Sequence, residues 1–139
     1  MIYQRKINYY ETDRMQIVHH SNYIRFLEEA RIYVMDKMGL PYHKMEEEGI
    51  MIPVLGVNCT YKNPCRFDDI IEINVKIKEY TGVKLIMEYT IMNKTTNKLA
   101  LLGETKHCFT NNDMKPISLK KVNHQMHEIF ENNYKIKEN

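Results

Sequence analysis

Residues 70–80 read IIEINVKIKEY. Ile71, Ile73, Val75 and Ile77 alternate with Glu72, Asn74, Lys76 and Lys78, a period of two that gives a strand one apolar face and one wet face. Working outward, residues 51–61, 84–93 and 99–110 are further strand-like runs. Asn63-Pro64, Thr81-Gly82 and Thr95-Thr96-Asn97 supply the turns between them. Connections this short leave no room for crossover helices, so the four runs pair as an antiparallel meander. Ahead of them, residues 3–10 (YQRKINYY) hold enough β-formers for a fifth strand.

Between the first strand and the other four the period changes. Tyr23, Phe26, Leu27, Ala30, Val34 and Met38 recur at spacings of three and four, one continuous apolar stripe on a helix. Ser21 is placed to cap its start, and Gly39 followed by Pro41 stops it. A short helix follows over 42–48 and ends at Gly49. After Pro116, the residues Leu119, Val122, Met126, Ile129 and Phe130 predict a C-terminal helix over about 117–131, with a frayed tail beyond. The helix stripe and the apolar sheet face each need a cover. The fold that satisfies both is α+β, a five-stranded antiparallel sheet wrapped around a long central helix, as a single domain over 1–139. Sheet edges left over are often covered by self-association, so an oligomer is expected.

Composition narrows the function. With 139 residues, 43% hydrophobic and 27% charged, the chain has the make-up of one globular domain. A formal net charge of +2 without a Lys/Arg stripe argues against nucleic acid. No apolar run reaches the length of a membrane span, and the N-terminus has no signal-peptide pattern. Cys59, Cys65 and Cys108 are odd in number and scattered, which fits reduced thiols in the cytoplasm. His19, His20, His43 and His107-Cys108 lack the spacing of a metal site, so no metal is expected.

The chemistry concentrates between Tyr9 and Arg31, YYETDRMQIVHHSNYIRFLEEAR. Taken together, Y-x-E-T-D, I-V-H-H-x-N-Y and L-E-E-A-R resemble the signature of hotdog-fold acyl-CoA thioesterases. The nearest groups are the 4-hydroxybenzoyl-CoA thioesterase family and its short-chain acyl-CoA branch. N-P-C-R-F-D-D at 63–69 and the strand order match as well, so the resemblance runs from about Tyr3 to Thr110. The single pieces carry almost no weight; the joint pattern is specific.

The resemblance implies an acyl-CoA thioesterase acting on a small or medium acyl group, assembled as a homodimer or homotetramer, with no cofactor beyond the coenzyme A of the substrate. It makes Asp13 the catalytic carboxylate, either nucleophile on the thioester carbonyl or general base for water. A leaving thiol of pKa roughly 8.5 departs without a strong acid, so a placed carboxylate and oxyanion stabilisation are what the reaction needs. An Asp in a loop is by itself more often a turn residue. The resemblance puts the carbonyl-polarising amide at the start of the long helix, around His20; one such donor is worth about 10²–10³ in rate. It gives His20 and Tyr9 assisting roles, against which simple packing weighs equally. His19, Asn22 and Tyr23 are candidates for substrate contact, although fixing the helix start explains Asn22 and Tyr23 at least as well. Lys62, Arg66 and Lys84 are the cations near strand ends that would meet phosphates. The basic cluster of some family members is absent from Thr81-Gly82-Val83. Glu28, Glu29 and Arg31 read most simply as a solvated face or structural ion pairs.

One residue departs from the pattern: Gln16 stands where the family usually carries Gly, a position that suits positive φ or close backbone approach. Two other readings stay open. A hotdog hydratase or dehydratase would handle similar acyl groups, though its Asp and His typically lie later in the chain. A non-catalytic acyl-thioester binder would keep the fold without turnover, and Gln16 is what keeps that reading alive.

Overall fold

The computed structural model describes residues 1–137. Its strands are β1 (Ile2–Lys6), β2 (Val54–Tyr61), β3 (Ile70–Tyr80), β4 (Lys84–Asn93) and β5 (Lys98–Cys108). Its helices are α1 (Ser21–Lys37), α2 (Tyr42–Glu47), α3 (Leu119–Val122) and α4 (His124–Lys137). The strands form one five-stranded antiparallel sheet in the order β1-β3-β4-β5-β2. β1 pairs with β3 in a register that sets Tyr3 opposite Ile73 and Arg5 opposite Ile71. Backbone contacts divide the chain into two compact units, and each of β2 to β5 contributes residues to both.

The first unit comprises residues 1–34, 58–75 and 89–103. Ile71, Ile73 and Val75 are buried in it, as their alternation predicts. On α1 the stripe Tyr23, Phe26, Leu27, Ala30 and Val34 is buried. Leu27 lies so close to β5 that a Cβ on Gly103 would stand 3.3 Å from its Cδ1 and 3.1 Å from Leu101 Cδ2. A glycine here lets helix and strand approach. Arg31 Nη1 reaches the Tyr89 hydroxyl on β4 at 3.2 Å.

The second unit holds residues 35–57, 76–88 and 104–139, of which 138 and 139 lie outside the described residues. Its core is aromatic: Tyr80 stacks on Phe130 at 5.2 Å and meets Phe109 edge-on at 6.0 Å. The tight turn between β3 and β4 uses Gly82 at φ +89°, next to the His127 ring.

Several sequence expectations need correction. β1 ends at Lys6, and Tyr9–Glu11 form a 3-10 turn instead of strand. The C-terminal helix expected over 117–131 is two helices broken at Asn123. Asn123 is extended (φ −148°, ψ 92°), and its side-chain oxygen accepts the Met126 N–H at 3.1 Å, which caps α4. Rather than fraying after 131, α4 continues to Lys137; the end of the expected tail, residues 138 and 139, lies outside the described residues. No helix among the described residues is long and apolar enough to cross a membrane.

Candidate active site

The first unit carries a cleft of about 330 Å³ lined by Asp13, Met15, Ile17, Val18, His20, Tyr23, Tyr61, Lys62, Asn63 and Pro64. Its polar end is built by two short pieces of backbone that the sequence shapes directly.

The first piece is the loop bearing Asp13. Thr12 and Val18 form an antiparallel bridge, and the residues between them close a tight hairpin. Gln16 N–H donates to Asp13 O and Asp13 N–H to Ile17 O, both at 2.9 Å. Asp13 Oδ1 accepts the Met15 N–H at 2.8 Å, the side-chain turn that favours Asp at such a corner. Closing the hairpin needs one left-handed residue, and Gln16 supplies it at φ +64°. Gln16, standing where the resemblance expects Gly, thus adopts the left-handed backbone that Gly would suit, at some cost. Asp13 Oδ2 takes no hydrogen bond from the described residues. Arg66 Nη1 lies 3.4 Å from Gln16 O, so this cation sits on the hairpin and does not line the cleft.

The second piece is the start of α1. Ser21, expected as the cap, is already the first helical residue; its hydroxyl engages His19 Nδ1 at 2.8 Å instead of a first-turn amide. Asn22 N–H and Tyr23 N–H bond back to His19 O and His20 O at 2.9 and 3.2 Å. Asn22 Nδ2 donates to Glu11 O at 2.8 Å, and His19 N–H donates to the same carbonyl at 3.0 Å. Asn22 is thus spent on holding the helix start. The His20 ring stacks on His19 with centroids 4.3 Å apart. The His20 amide donates to none of the described residues. Such a free N–H at the positive end of a helix suits a partial negative charge.

The rest of the lining is mostly apolar and aromatic, with Lys62 and Asn63 as its polar members. Tyr23 and Tyr61 face each other with ring centroids 5.4 Å apart. Burial raises the Tyr23 phenol far above its usual range, with the Cys65 sulfur adding to it; burial likewise raises the Cys65 thiol, and burial with Cys59 raises Tyr61. These groups stay neutral near pH 7.

Of the sequence candidates, Asp13, His20, Tyr23 and Lys62 line the cleft. Tyr9 is 75% exposed and lies edge-on to Phe67 at 5.6 Å, away from the lining. Lys84 opens β4 in the second unit. Sequence reasoning did not name Tyr61 or Asn63 as site residues, nor Met15, Ile17, Val18 and Pro64. Asn63 was legible only as a turn residue, and Tyr61 only as part of a strand. No group of three or more His, Cys, Asp or Glu arranged for a metal stands among the described residues.

The sequence profile of the thioesterase-like superfamily matches residues 7–128, and the chain belongs to that family of hotdog-fold thioester hydrolases. YneP of Bacillus subtilis (strain 168), provisionally named an acyl-CoA thioesterase, is 31% identical over 127 residues and 91% of each chain. The acyl-CoA thioester hydrolase YbgC of Escherichia coli O157:H7 is 27% identical over 84% of this chain and 87% of its own. Among solved structures, a DHNA-CoA thioesterase from Staphylococcus aureus superposes with a TM-score of 0.89 at 30% identity, over 94% of this chain and 88% of that one.

Proposed function

We propose that the protein hydrolyses a small or medium acyl-CoA to free acid and coenzyme A in this cleft. The observation that carries the reading is that one cleft is lined both by Asp13, with one oxygen uncommitted among the described residues, and by His20, whose amide is likewise uncommitted. Asp13 acts as nucleophile, forming an acyl-aspartate anhydride that water then opens, or as general base that takes a proton from the attacking water. In either route the thiolate leaves with the electron pair of the broken C–S bond. The His20 amide receives the carbonyl oxygen as its charge grows. The His20 ring, stacked on His19, orients substrate or water. Lys62 at the mouth meets a phosphate, and the Tyr23–Tyr61 side houses the acyl group. No cofactor is needed, since coenzyme A arrives with the substrate.

In this arrangement α1 is the helix around which the sheet curls. Its contacts with β1 through Glu29, β4 through Arg31 and β5 through Leu27 support that reading. Two or four copies assemble. β2 is last in the sheet order, and its Val54, Leu55 and Val57 are exposed, an edge suited to another copy. The three free cysteines suit the cytoplasm.

A thiol-release assay over an acyl-CoA chain-length panel tests the reading. Asp13→Asn is expected to lower kcat by at least about 10²-fold with an unchanged circular dichroism spectrum. Full activity in that variant would remove Asp13 from the mechanism.

A further inference from the structure

We propose that Arg5 is a positioning residue that fixes the gap between Asp13 and the His20 amide, through a fork that grips Glu11 on one side and Glu29 of α1 on the other. The inference rests on the hydrolytic reading above. Arg5 lies on β1 and does not line the cleft. Its side chain is only 9% exposed and that of Glu11 8%. Arg5 Nη1 donates to both Glu29 oxygens at 3.0 and 2.9 Å, and Nη2 pairs with Glu11 Oε1. Its Cζ sits 4.2 Å over the Phe26 ring, and Nη2 and Nε hold Lys6 O at 3.1 and 3.3 Å.

Glu11 makes this more than a salt bridge. Its side chain takes Arg5 and the Asn8 N–H, at 2.8 Å for the latter. Its main-chain carbonyl takes His19 N–H and Asn22 Nδ2, the two bonds that seat the helix start. Two residues further on stands Asp13, across the Thr12–Val18 bridge. One buried residue therefore joins the carboxylate arm to the amide arm, and Arg5 ties it to the body of α1. Buried ion pairs add little net stability compared with apolar packing. Their fixed geometry is what an apolar substitute could not supply. A lysine keeps the charge but not the planar fork that reaches two carboxylates at once.

The test uses Arg5→Lys, Arg5→Ala and, as a control in the second unit, Lys78→Ala, which breaks the pair with Glu104. Displacing reacting groups by about 1 Å can cost about 10²-fold in rate. Arg5→Lys is expected to lower kcat about tenfold with KM within about twofold, a loss confined to the transition state. Arg5→Ala should lose about 10²-fold and recover several-fold with millimolar guanidinium. The His19 amide should exchange faster in both, while Lys78→Ala matches wild type. Should Arg5→Ala fail to fold, Arg5→Lys decides. Unchanged kcat in Arg5→Lys, in an active wild-type background, overturns the positioning role even if His19 exchanges faster. A wild-type protein that releases no thiol from any acyl-CoA overturns the hydrolytic reading, and this one with it.

Discussion

Each unit contains a buried polar network, and the two are finished differently. In the second, the Tyr80 hydroxyl meets His127 Nδ1 at 2.7 Å, His127 Nε2 meets Glu131 at 2.9 Å, and Lys135 closes on Glu131 at 2.8 Å. The chain of partners runs out to the exposed Lys135, and its inner end lies in a stack with Phe109 and Phe130. In the first, Arg5, Glu11 and Glu29 satisfy one another, yet the backbone they hold presents an unclaimed carboxylate oxygen and an unclaimed amide. A completed network stabilises; one that props up unfinished valences is, in the reading proposed above, prepared for a reaction. His127 with its acid and phenol looks like catalytic machinery on paper, but both of its ring nitrogens and the Tyr80 hydroxyl are already engaged.

The comparison can be broken most forcefully from the second unit. Phe130→Ala should cost about 3–5 kcal/mol in denaturant unfolding through the cavity it leaves, with kcat of the folded protein within twofold of wild type. A fall in kcat as large as that of Asp13→Asn would erase the contrast. His127→Ala leaves the Tyr80 hydroxyl buried without its partner and should cost about 1–3 kcal/mol, again without a change in kcat.

Alkaline titration sharpens the same point. Burial, then the charge of Glu131, raises the Tyr80 phenol, so the folded state holds its proton where the unfolded state has released it. That contribution is fully present below the unfolded value of 10.0 and is lost as pH rises above it. Thermal melts should show stability falling above pH 10, with a shallower fall in Tyr80→Phe. Equal slopes would count against a strongly raised phenol.

The smallest effect belongs to the first unit. Gln16→Gly should stabilise by up to about 1 kcal/mol by relieving a left-handed side-chain residue, and leave kcat within about threefold. A loss of stability would mean that the Gln16 side chain holds the hairpin in some other way.

Much of this architecture was legible in the chain. The period of two in β3 and the α1 stripe are direct readouts of burial: Ile71, Ile73, Val75 and Ile77 are buried, as is the stripe from Tyr23 to Val34, while Met38 lies past the end of the helix and is half-buried. The break at Asn123 was hidden because Val122 and Met126 continue a helical spacing straight through it; a cap decided the local structure, and Val122 is left 55% exposed. At the site, Asp13 and His20 lay inside a joint motif and line the cleft. Tyr61 and Asn63 join them only through folding, since β2 and the turn after it are some forty residues away in sequence. Tyr9 belonged to the same motif, but the 3-10 turn after β1 carries its ring out against Phe67.

The hydrogen bond from Met15 to Asp13 has a consequence for how position 13 can vary. One oxygen of that side chain is architectural and, in the hydrolytic reading proposed above, the other is left for reactivity, so shape and charge are inherited together. Glutamate, a methylene longer, would forfeit the corner while keeping the anion; alanine would forfeit both. Only the isosteric amide separates the two duties, which makes asparagine the informative knockout and leaves selection little room to drift gradually away from aspartate.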